Sequence, residues 1–117
     1  MDKKTVSLIL KALRSSTLRW HIRNDVIKES KVKVHIGYFK NGNRKYKVMH
    51  KCNVCGGLYE KIQVDHIEEV GQYKGDLHCY ASRMFCDKSN LQAICKSCHD
   101  VKTNEYKEYR ESGAHLL

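Results

Sequence analysis

Two Cys-x-x-Cys pairs, Cys52/Cys55 and Cys95/Cys98, enclose an Asp65-His66 pair, and the second pair runs directly into His99. Four thiolates are soft ligands that suit a closed, tetrahedral structural zinc. A carboxylate with histidines suits a harder divalent ion that must also accept water and phosphate. The spacing therefore predicts two metal sites of different character, one bracing the fold and one doing chemistry. His99 as a fifth candidate for the thiol site is redundant, because four cysteines complete it. His78, Cys79 and Cys86 lack tight spacing, and their plain reading is no further metal site.

The elements that must position these residues can be read coarsely. Val6, Ile9, Leu10 and Leu13 recur at helical spacing and predict a helix over 3–19, followed by a second over 19–29 with Trp20, Val26 and Ile27 inward and Ser16 or Thr17 as its cap. The period then changes. Val32, Val34, Ile36 and Tyr38 alternate with Lys31, Lys33 and His35, Asn41-Gly42 signals a turn, and Arg44 to Val48 reads as the returning strand. This hairpin leads into Cys52-Asn-Val-Cys-Gly-Gly57, the pattern of a zinc knuckle. Lys61–Ile67 and Asn90–Ile94 read as strands and 68–88 as a long loop. A helix from about Lys96 to Glu111 carries His99, Val101, Tyr106 and Tyr109 and stops at Ser112-Gly113.

The chain has 117 residues and 41% hydrophobic content, enough for one domain with a modest core that a metal would brace. The α+β reading divides it into a basic helical and hairpin extension over 1–50 and a metal-braced core over 51–111. No stretch suits a membrane span, and six cysteines in tight pairs favour metal over disulfides, hence a reducing cytoplasm. Net charge is +9 and uneven: residues 1–59 hold 14 Lys/Arg against 3 Asp/Glu, and residues 60–117 hold 8 against 10. No acidic residue falls between Ser30 and Tyr59, where Lys31, Lys33, Lys40, Arg44, Lys45, Lys47 and Lys51 lie. Such a field attracts a polyanion, and these are the candidate nucleic-acid contacts.

Taken in order, the two cysteine pairs, Val64-Asp65-His66-Ile67, Asn90-Leu91 and the run Cys95-Lys-Ser-Cys-His99-Asp-Val-Lys-Thr103 resemble an HNH endonuclease of the zinc-braced type. The resemblance covers about residues 50–106, and the helical arm before it gives a looser likeness to small phage-type members. It implies a ββα-metal (His-Me finger) core of two strands and a helix around one divalent ion, Mg2+, Mn2+, Ni2+ or Zn2+, with zinc on Cys52, Cys55, Cys95 and Cys98. It further implies Asp65 and His99 as ligands of the catalytic ion, His66 as general base, and Asn90 holding a loop by backbone hydrogen bonds. His66, Asn90 and His99 are the three letters of the family name. Lys102 is a candidate phosphate contact. Where some relatives have a further ligand this chain has Thr103, and where many have proline it has Glu68-Glu69.

The chemistry is consistent with those roles. An imidazole with an ordinary pKa of roughly 6.5 accepts a proton from water near neutrality, and a divalent ion neutralises charge on the phosphate and leaving oxygen. Adjacent strand residues point to opposite faces, so Asp65 and His66 divide the labour. The resemblance implies DNA as the substrate, in duplex form, cut to 5′-phosphate and 3′-hydroxyl ends. The rival reading is a non-catalytic zinc-ribbon module that binds DNA. A homodimer or a phage packaging partner leaves no mark in the residues.

Overall fold

The computed structural model describes residues 1–111, so the expected stop at Ser112-Gly113 lies outside the described residues. Helix α1 (Lys3–Ser16) starts where Asp2 Oδ1 accepts from the Thr5 amide at 2.7 Å, an N-cap of the usual kind. Ser16 and Thr17 do not cap the next helix. Their hydroxyls turn back and donate to the carbonyls of Ala12 and Arg14, at 2.8 and 2.7 Å, closing α1. A 3-10 turn over Thr17–Arg19 follows, and α2 (His21–Glu29) begins after Trp20 without a side-chain cap. The break at Trp20 lets its ring meet Phe85 edge-on, with centroids 5.2 Å apart.

Strands β1 (Lys31–Tyr38) and β2 (Arg44–Lys51) form an antiparallel ribbon, to which the short β3 (Leu58–Tyr59) pairs at His50 and Lys51. The returning strand runs three residues further than its expected end at Val48. A bulge between His35 and Gly37 corrects the simple alternation. Gly37 sits at φ +149°, a conformation that side chains rarely adopt. Beyond it Tyr38 lies on the same face as His35, their ring centroids 4.9 Å apart, instead of on the face of Val32 and Val34.

The second sheet is the pair β4 (Gln63–His66) and β5 (Leu91–Ile94), in a register that sets Asp65 opposite Gln92 and His66 opposite Leu91. Between them the supposed loop 68–88 contains a helix, α3 (Leu77–Met84), opened by Asp76 Oδ1 accepting from the Cys79 amide at 3.1 Å. Its Tyr80 and Met84 are buried. A 3-10 turn over Lys88–Asn90 enters β5, and α4 (Lys96–Glu111) follows Cys95 directly.

The core is small and centred on β5. Val26 of α2 packs on Leu91 and Ala93, while Ile94 packs with Cys52 and Cys95; Ile62 touches both groups. Each of the Val, Leu and Ile side chains, fully buried, contributes about 1.5–3 kcal/mol. Two of the most buried side chains in the second group are thiols, so a metal there would act inside the core. The molecule is elongated, 65 × 29 × 23 Å. The architecture is α+β, and no helix among the described residues is long and apolar enough to cross a membrane.

Candidate metal centre and active site

The four cysteines come together as one group, their sulfurs within 4.8 Å of one another. Cys52 and Cys55 sit on a tight turn after β2, in which Gly56, at φ +72°, donates its amide to the Cys52 carbonyl at 3.0 Å. Cys95 and Cys98 flank the start of α4. No cysteine is bonded to another. Burial works against charge on Cys52, but the amides of Cys55 and Cys95 aimed at its sulfur, at 3.5 and 3.3 Å, outweigh it and bring the thiol down to about 6. Cys98, hydrogen-bonded to Cys95 and partly desolvated, is pushed up to about 12. Four such thiols cannot all ionise together without a cation, and a cation is what this donor set fits. An all-thiol group of four suits zinc. Among the described residues no other set of three or more His, Cys, Asp or Glu side chains converges in this way. His78, Cys79 and Cys86 do not.

Asp65, His66, Asn90, His99 and Lys102 lie around the end of the β4–β5 pair and the first turns of α4. Asp65 is the one buried polar side chain among the described residues, 8% exposed. Its Oδ2 accepts from Gln92 Nε2 at 3.2 Å and from Lys102 Nζ at 2.6 Å. Its Oδ1 faces His99 Nε2 across 4.0 Å, a gap that one ion with bonds of about 2.1 Å can span. That pair fits a divalent cation held by few protein ligands. Thr103 is exposed on α4.

His66 Nε2 lies 2.7 Å from the carbonyl oxygen of Met84. A carbonyl only accepts, so Nε2 carries the proton and Nδ1 of the neutral ring is left as an acceptor. Met84 ends α3, where carbonyls have no partner within the helix. The ring also borders a cavity of about 580 Å³ walled by Lys11 and Arg14 of α1, Tyr80 and Tyr106.

Asn90 holds the chain after β4 from both sides. Its Oδ1 accepts from the Glu68 amide at 2.8 Å, and its Nδ2 donates to the Glu68 carbonyl at 3.3 Å. The Glu68-Glu69 departure has a local answer: Glu69 Oε1 lies 3.4 Å from Lys102 Nζ. Lys102 points neither to solvent nor outward as a free phosphate contact. Its ammonium also donates to the carbonyls of His66 and Ile67.

The structure adds two contributors to the site, Gln92 and the Met84 carbonyl. Gln92 bridges Asp65 to the cysteine turn, because its Oε1 accepts from Asn53 Nδ2 at 2.9 Å. Nothing in its sequence context marks it. Met84 was legible in principle, since Leu77, Tyr80, Ala81 and Met84 follow Asp76 at helical spacing. The basic residues of the ribbon are not part of this cluster. Lys47 is paired with Glu60, Lys45 lies over the Phe39 ring at 5.7 Å, and Lys31, Lys33, Lys40, Arg44 and Lys51 are exposed.

The chain is similar to a protein of Lactococcus phage SK1 named a probable HNH endonuclease, with 42% identity over 57 residues that cover 48% of this chain. The matched stretch is 56% of that protein, so the chain spans about half its length. No family model matches the chain, and no solved structure matches it significantly.

Proposed function

We propose, from the premise that this chain resembles an HNH endonuclease, that it is a metal-dependent nuclease hydrolysing phosphodiester bonds of duplex DNA. The observation that carries this reading is the hydrogen bond from His66 Nε2 to the Met84 carbonyl. It leaves Nδ1 as the proton acceptor on the residue that follows Asp65 in β4, and the Asp65 carboxylate in turn faces His99. In this reading β4, β5 and α4 are the two strands and helix of a ββα-metal unit, with 1–50 as its basic extension within one domain.

His66 takes a proton from the attacking water at Nδ1, while the Met84 carbonyl keeps the ring in the required tautomer and stabilises it as it becomes cationic. Asp65 and His99 would hold a divalent ion, and Asn90 fixes the backbone at Glu68 so that His66 keeps its direction. When bound, that ion supplies charge neutralisation at the phosphate and the departing 3′ oxygen. Products carry 5′-phosphate and 3′-hydroxyl ends. Zinc on the four cysteines is structural. The ribbon cations Lys31, Lys33, Lys40, Arg44 and Lys51 attract the DNA backbone.

One observation favours the rival, a zinc-bearing DNA-binding module without catalysis: Lys102 already satisfies the charge of Asp65. Plasmid cleavage separates the two. Wild type should nick or linearise DNA with Mg2+, Mn2+ or Ni2+ and stop with EDTA, and His66→Ala should lose at least a hundredfold in rate while keeping its fold and zinc. A folded, zinc-loaded wild type inert with every ion would leave the binding module.

A further inference from the structure

We infer that the β1–β2 ribbon docks face-first in the major groove of duplex DNA, with His35, Tyr38 and Tyr46 against the bases. This rests on the nuclease reading and extends it from backbone attraction to a defined contact surface.

Cross-strand register sorts the ribbon into two faces. Lys31, Lys33 and His35 lie opposite His50, Val48 and Tyr46, and directly opposed residues share a face. The bulge then adds Tyr38, opposite Arg44, to that same face. The ring distances agree, with His35 4.9 Å from Tyr38 and 5.7 Å from Tyr46. The other face carries Val32, Val34 and Met49, which are half-buried, and Lys47, which is paired with Glu60. One face is therefore partly covered, and the other is solvent-exposed except at its base, where His50 is half-buried and bonded to Ser30.

That outer face is unusual for a surface. Tyr38 is 65% exposed and Tyr46 49%, so large rings stand in water with Lys33 and Arg44 around them. Exposed apolar area rimmed by cations marks a binding surface. No carboxylate lies anywhere from Ser30 to Tyr59, so the partner is an anion. Its shape is set by the ribbon. The outer part has no other strand beside it, and a two-stranded ribbon fits the B-DNA major groove, about 12 Å wide, but not the deep, narrow one of A-form RNA. Lysines at 31 and 33 flank the rings, where they reach phosphates on the groove walls. A second copy of this chain is the poorer occupant, since β1 is an edge strand whose lysines repel its own kind.

The test is binding of the full chain, with the His66→Ala change to prevent cleavage, to a labelled duplex across a range of salt. Tyr38→Ala/Tyr46→Ala should weaken binding about tenfold and leave the salt slope unchanged, whereas Lys33→Ala/Arg44→Ala should reduce that slope by about 2. These side chains are exposed, and matching melting curves establish that the variants fold. Dimethyl sulfate gives the groove directly, because guanine N7 lies in the major groove and adenine N3 in the minor. Protection of guanine N7 by the parent, lost in the tyrosine variant, is the expected result. Protection of adenine N3 instead, unchanged affinity of the tyrosine variant, equal affinity for duplex RNA, or a dimer dissolved by the tyrosine changes would each overturn the groove assignment. If wild type still cleaves DNA in those cases, the nuclease reading stands without it. If wild type neither binds nor cleaves DNA, both fail.

Discussion

Lys102 Nζ stands 2.6 Å from Asp65 Oδ2, on the same carboxylate whose other oxygen faces His99. A lysine here serves as an internal counter-ion, and with Glu69 and two backbone carbonyls it sits in a ring of oxygen atoms. A divalent ion on Asp65 and His99 would have to share that carboxylate with a positive charge. Like charges at this range repel by several kcal/mol before screening.

Lys102→Met should therefore tighten Mn2+ binding by about tenfold, or roughly 1.4 kcal/mol. Calorimetric titration of the His66→Ala protein reads this without any cleavage. Unchanged or weaker Mn2+ affinity would mean that the ammonium and the ion do not compete.

Gln92 should matter for the same carboxylate. Gln92→Leu keeps the side chain's bulk but removes the donor to Asp65 Oδ2. Groups that orient a ligand typically account for about 10–100-fold in metal affinity or activity. Both should fall, with zinc content measured by atomic absorption unchanged. Wild-type Mn2+ affinity in that variant would remove Gln92 from the site.

Helix α3 should couple to catalysis through its last carbonyl. Asp76→Ala removes the cap at the Cys79 amide, and the melting temperature should drop by about 4 °C. The amide of Cys79 holds the Asp76 carboxyl below its ordinary 3.8. A lowered folded value means that the benefit is present above the ordinary pKa and is lost as pH falls through the lowered one. The gap in melting temperature between wild type and variant should thus close only on acidification below about pH 4. At neutral pH the variant's kcat should fall with KM unchanged, because the Met84 carbonyl is less firmly placed against His66. An intact kcat would separate α3 from the chemistry.

Cys95→Ser should be far more damaging. Cys95 is 2% exposed and packs with Ile94 and Cys52, so loss of the ion opens the core as well as the knuckle. Loss of the cooperative thermal transition is expected, both for this variant and for wild type after exhaustive chelation. A normal melt in either would refute a structural role for the thiol group.

Local signals in the sequence were strong where spacing is short. Cys-x-x-Cys pairs, the alternation of β1 and the helical run of α1 are all set by neighbours a few residues apart, and the structure has those elements close to where the pattern puts them. Misreadings came where two signals competed. Gly71 and Gly75 made 68–88 look irregular and hid the apolar spacing from Leu77 to Met84. The bulge at Ile36-Gly37 broke a period of two and moved Tyr38 to the other face. Gln92 and the Met84 carbonyl act through pairings across the sheet and from a distant helix. A backbone oxygen leaves no trace in residue identity at all. The roles of Asp65, His66, Asn90 and His99 rest on resemblance and geometry together.

The chain of amides from Asn53 through Gln92 to Asp65 means that the cysteine turn is not an interchangeable part. Asn53 lies inside the first Cys-x-x-Cys, at a position that metal binding leaves open to almost any residue. A turn grafted from an unrelated zinc protein would keep four thiols and the fold, yet would leave Gln92 without its anchor and the carboxylate slack. Recombination between relatives should therefore succeed when residues 52–55 and 92 travel as one block, and cost activity when a crossover falls between them.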